Sequence, residues 1–135
     1  MSCHISRIVL AFSTVLFALG IPQAEAEEPF DTVASYTEAL RLGDTIGIKS
    51  YIGGRLYEKK EVLLDQNAEY PDFLRNFYQG ALFRVSDEMI DLGPRGQGIE
   101  VEISFPAGHI SKSMAIVEQA PDGLWRIVDE VEAIP

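Results

Sequence analysis

Apolar positions in this chain follow two different periods, and the change falls near Gly80. Before it they recur every three to four residues, the spacing that gives a helix one core-seeking face. Phe30, Val33, Ala34, Thr37 and Leu40 mark a first helix. It is expected to start at Asp31, a capping residue, and to end at Gly43, the residue type that favours a left-handed C-terminal position. Asp44 is placed to cap a short second helix bearing Ile48, Tyr51 and Ile52, which Gly53-Gly54 stops. A third helix is expected from about Leu56 to Asn67, with Leu56, Lys60, Leu63 and Leu64 on one face and Glu58, Lys59, Glu61 and Asp65 mostly outside. Tyr70-Pro71 is expected to break it, because a residue before proline is disfavoured in the α region. Asp72 then caps a fourth segment, where Phe73 and Phe77, and Leu74 and Tyr78, fall four apart.

After Gly80 the period becomes two. Ile99-Glu-Val-Glu-Ile-Ser-Phe105 alternates without exception, the pattern of a strand with one buried face. Leu82 to Leu92 reads as a strand or bent strand before it, and His109 to Gln119 as one after it. The turn Pro121-Asp122-Gly123 leads into a last strand from Leu124 to Val131. Four strands in succession with short connections predict an antiparallel meander. Helices gathered ahead of it predict an α+β fold in which they cover one face of the sheet.

The first 26 residues stand apart from this domain. Arg7, an apolar run from Ile8 to Leu19, the breakers Gly20 and Pro22, and Ala24-Glu25-Ala26 have the layout of a secretory signal with cleavage after Ala26. The run is short of the roughly 20 residues a membrane-spanning helix needs, so no membrane anchor is expected after cleavage. The domain is then residues 27–135, and the expected location is the periplasm or the medium. Cys3 and His4 leave with the signal, and His109 is the one histidine left. Thiol chemistry, a disulfide framework and zinc sites built on Cys or several His are therefore not expected, and the sequence calls for no cofactor. The formal charge is −10, unchanged by removal of Arg7 and Glu25. Such a field disfavours nucleic acid as a partner. Gly53-Gly54 and the stretch Gly93 to Gly98 lack phosphate-loop spacing.

Polar residues that share parity with apolar ones in the strands are the first candidates for chemistry. Asp87 shares it with Val85 and Met89, Lys112 with Ile110 and Met114, and Asp129 with Ile127 and Val131. Regular alternation points all three toward the helices, where burial raises a carboxyl pKa and a neighbouring Lys lowers it. The tyrosines are the second set, with Tyr36, Tyr51 and Tyr78 as pocket candidates, alongside their ordinary use in finishing a small core. His109, at a loop exit, reads as a surface histidine.

The closing run Asp122-Gly123-Leu124-Trp125-Arg126-Ile127-Val128-Asp129, preceded by helices and a meander, resembles the nuclear transport factor-like, ketosteroid isomerase-like superfamily, of cystatin-like α+β type. Gly123, Trp125, Arg126 and Ile127 carry the resemblance. It implies a curved, cone-like sheet wrapped around helices to form a pocket, which relatives use for isomerases, dehydratases, binding modules and accessory domains of envelope proteins. It transfers no catalytic residue to this chain. By elimination of thiol, metal, triad and phosphate-loop chemistry, the expected function is a non-catalytic binding or interaction module for a small apolar ligand or an envelope protein partner. The alternatives are a cofactor-independent isomerase or dehydratase using a buried Asp, and a structural subunit of an envelope complex, as a homodimer in one version.

Overall fold

The computed structural model describes residues 28–133, so the signal-like segment lies outside the described residues. Four helices lead into four strands: α1 (Pro29–Leu42), α2 (Thr45–Tyr51), α3 (Gly54–Gln66), α4 (Tyr70–Phe77), then β1 (Leu82–Asp91), β2 (Gln97–Ser104), β3 (Ile110–Gln119) and β4 (Trp125–Glu132). The strands pair in sequence order as one open antiparallel sheet. This is the α+β arrangement expected from the change of period at Gly80.

Helix ends follow local chemistry; besides the start of α3 at Gly54 in place of about Leu56, two shift from expectation. α1 begins two residues earlier than Asp31, at Pro29, whose fixed φ and missing N–H suit a first turn. Asp31 sits inside that turn, where its Oδ2 accepts the Glu28 N–H at 3.1 Å. Gly43 ends the helix at φ 66°, as its lack of a Cβ permits. Asp44 caps α2 through the Gly47 N–H at 3.0 Å. The second shift is at Tyr70-Pro71, which opens α4 instead of separating it from what precedes; Pro71 lies in the first turn, where no intrahelical N–H is lost. Asp72 is accordingly a first-turn acid and not the cap.

One apolar cluster joins the layers. Val33, Leu40, Ile48, Leu56 and Leu74 from the helices meet Ile99, Val101, Ala115, Val117 and Ile127 from the sheet. The chain between α2 and α3 fastens the helices to the edge of the sheet: Ile52 bridges Ile127, whose carbonyl accepts the Gly53 N–H at 3.0 Å.

Register decides which side chains face the helices: it breaks simple alternation in β1 and β4, and in β3 it sets the other row toward the helices. In β1, Val85 opposes Val101 and Met89 opposes Ile99, so three residues of β1 stand against the single Glu100. This bulge carries Asp87 out to solvent. In β3, Ser113 opposes Val101 and Ala115 opposes Ile99, so the odd-numbered row faces the helices. Lys112 therefore points away from them with Ile110 and Met114, and its Nζ stands 3.8 Å from Glu102 Oε2. In β4, Ile127 opposes Val117 but Asp129 opposes Ile116, leaving Val128 as an extra residue. Parity reverses there: Asp129 turns to the outer face and Glu130 turns inward. The expectation that Asp87, Lys112 and Asp129 face the helices is thus corrected at all three positions.

The outer face has a small apolar centre of its own. Met114 and Ile116 are buried although they point away from the helices. Leu92 and the turn after β1 close over them, and Gly98 provides the room: a Cβ there would stand 2.5 Å from Met114 Cγ and 3.0 Å from Leu92 Cδ1.

Candidate functional site

The inward turn of Glu130 and the aromatic face of α4 together define the most distinctive site. Tyr36, 3% exposed, donates its phenol O–H to Glu130 Oε1 at 3.2 Å. Burial first, and the Glu130 carboxylate second, push the Tyr36 pKa well above the ordinary phenol value. Tyr78 is pushed up to about 12 by the same two causes in the same order. Tyr70 bears on both phenols as well. At neutral pH the Tyr36 and Tyr78 hydroxyls are therefore hydrogen-bond donors and not bases.

Tyr78 also belongs to a groove of about 510 Å³ between the end of α4 and the ends of β2 and β3. Phe77, Tyr78, Ile103, Phe105, His109 and Ser111 line it. Its aromatic rings contact one another edge to face and stacked. Phe77 meets Tyr78 at 4.9 Å and Phe105 at 5.5 Å between ring centroids. His109 stacks on Phe105 at 5.6 Å, and Phe73 stacks on Phe77 at 5.6 Å. Phe73 and Phe77 are 55% and 51% exposed. Aromatic side chains gain most from burial, so a run of rings half in water is a surface suited to an apolar ligand.

The residues singled out by sequence are dispersed. Tyr36 and Tyr78 come together around Glu130, whereas Tyr51 is half-buried and packs against the main cluster. Asp87 lines a shallow polar depression with Arg84, Ser86, Glu100 and Glu102. Asp129 is tied to α3: Lys59 Nζ donates to its Oδ1 at 2.9 Å, and Arg55 Nη1 lies 3.7 Å from its Oδ2. The Lys59 hydrogen bond, joined by the Glu130 N–H, holds its carboxyl below the usual carboxylate range against the opposing effect of burial. None of the three charged candidates enters the aromatic groove.

Glu130, Phe77 and Phe105 were not marked as site residues by sequence. Phe105 ends the alternating run on the same parity as Ile99 and Val101, so its direction was legible. Glu130 was not, because its inward direction depends on the extra residue at Val128. Among the described residues no three His, Cys, Asp or Glu side chains converge as metal ligands, and no helix is long and apolar enough to cross a membrane.

No family model, curated protein or solved structure matches this chain. The functional reading therefore stands on the geometry of the groove.

Proposed function

We propose that this is an exported, periplasmic or secreted, non-catalytic binding module that holds a small apolar ligand in the groove between α4 and the sheet. The observation that carries the reading is the half-exposed Phe73–Phe77 stack set edge to face on Phe105, with His109 stacked on Phe105, beside a groove of about 510 Å³. The groove is within the usual size range for small-molecule sites. Tyr78 and Ser111 supply donors on its wall, and the Glu130 carboxylate held by Tyr36 bears on Tyr78 through its charge. The resemblance in the last strands favours the same reading, since it implies a pocket between helices and sheet.

An isomerase or dehydratase of the kind considered from sequence needs an Asp inside a closed cavity. Asp87 is exposed and Asp129 is held by Lys59 on the outer face, so binding is the reading to prefer over catalysis. Native mass spectrometry of the protein purified from its own compartment tests it. The expected result is a chain carrying one small molecule. A stable protein complex with no small molecule would transfer the assignment to the structural-subunit reading.

A further inference from the structure

The largest cleft among those described lies on the opposite face of the sheet and has no part in the groove. It measures about 740 Å³ and is walled by the start of α3, the turn after β1, the end of β3 and the bulged half of β4. In a chain of net charge −10, four cations meet here: Arg55, Lys59, Arg95 and Arg126. They come from three separate segments, so the sequence shows only the small interrupted patch from Arg55 to Lys60. Glu118 and Asp129 are the acids facing them; Glu130 also borders the cleft, but its carboxylate is engaged by Tyr36.

Two of the cations, Lys59 and Arg126, are held by hydrogen bonds to the protein. The Asp129 carboxylate is fixed by the Glu130 N–H at 2.9 Å, holds Lys59 at 2.9 Å and has Arg55 at 3.7 Å. Arg126 is held by Asp122 at 3.3 Å and by the Trp125 carbonyl. Arg55, at 3.7 Å and 72% exposed, keeps donors free. The Arg95 guanidinium has no ion pair among the described residues and faces the same space from the opposite wall. Guanidinium groups with unused donors suit bidentate binding of a carboxylate or phosphate. The backbone adds to this: α3 starts at Gly54 with no side-chain cap and no acid in its first turn. Gly54, at φ 52°, packs its Cα against Val128, where a Cβ would approach to 3.3 Å.

We infer that this cleft is a second binding site, for a small organic molecule bearing a carboxylate or phosphate group, with Arg55 and Arg95 as its principal contacts. Titration of the ¹⁵N-labelled protein by NMR at constant ionic strength, with inorganic phosphate in one series and succinate in another, tests the inference. Saturable shifts at Gly53, Gly54, Arg55 and Arg95 are expected in at least one series, and which series responds tells phosphate from carboxylate. Arg95→Gln and Arg55→Gln, both at exposed positions, are each expected to weaken binding by about tenfold. Arg84→Gln, on β1 outside the cleft, is expected to leave it unchanged. The absence of saturable shifts in both series would overturn the inference. Equal weakening by Arg84→Gln would also overturn it, because net charge alone would then explain the binding.

Discussion

The phenol of Tyr36 on α1 donates to Oε1 of Glu130 on β4 across 3.2 Å, joining residues 94 positions apart. It ties the first helix to the last strand and fixes a carboxylate whose charge also bears on Tyr78 of the groove. Tyr36→Phe keeps the ring in the core and removes only the donor. A hydrogen bond to a charged acceptor is worth about 1.5–3 kcal/mol; Glu130 is only half-buried and regains some hydration, so a loss of about 1–2 kcal/mol is expected. Glu130→Gln, which retains an acceptor for the phenol, should cost less. Urea unfolding of the two variants beside the parent protein measures the difference.

Tyr36, together with Tyr78, also bears on alkaline stability. Tyr36 and Tyr78 both have folded-state pKa values above that of an unfolded tyrosine, with Tyr78 at about 12. Their stabilising contribution is complete below the unfolded value of about 10. It declines as pH rises from there through the folded values, because the unfolded chain then binds fewer protons than the native one. Stability should therefore fall between about pH 10 and pH 12, and Tyr36→Phe should flatten part of that decline. Absorbance of tyrosinate followed together with circular dichroism will show whether these phenols ionise only as the fold opens.

Asp129 gives the opposite sign at low pH. Its carboxyl is held down chiefly by Lys59, so its contribution is present above the unfolded carboxylate pKa and is lost as pH falls through the lower folded value. Because Lys59 and Arg55 are largely exposed, Asp129→Asn should cost no more than about 1 kcal/mol at neutral pH. The effect should concentrate in faster hydrogen exchange of the α3 amides, since Lys59 and Arg55 are the α3 side chains that reach Asp129.

Sequence carried the architecture further than the site. The alternation from Ile99 to Phe105, the left-handed end at Gly43 and the Asp44 cap each depend on a few adjacent residues, and each has the expected counterpart in the fold. Side-chain direction in β1, β3 and β4 depends on pairing with another strand. Met114 and Ile116 are as buried as the row facing the helices, because Leu92 and its turn cover that part of the outer face, and exposed Ile110 extends the same apolar parity. Parity therefore put Lys112 on the wrong side. The bulges at Ser86 to Glu88 and at Val128 did the same for Asp87 and Asp129 and concealed Glu130. The tyrosines were legible as a group, but only the fold shows that Tyr36 and Tyr78 share a carboxylate while Tyr51 stands apart.

The binding reading is tested most directly by titrating the neutral apolar fluorophore N-phenyl-1-naphthylamine into the protein and into Phe77→Ala. Phe77 is half-exposed, so its truncation should leave the fold intact, as circular dichroism would verify. The account predicts saturable uptake at one site, weakened about tenfold by Phe77→Ala and unaffected by Asp87→Asn or Lys112→Ala. Uptake that does not saturate, or that is equal in the parent protein and Phe77→Ala, would contradict it.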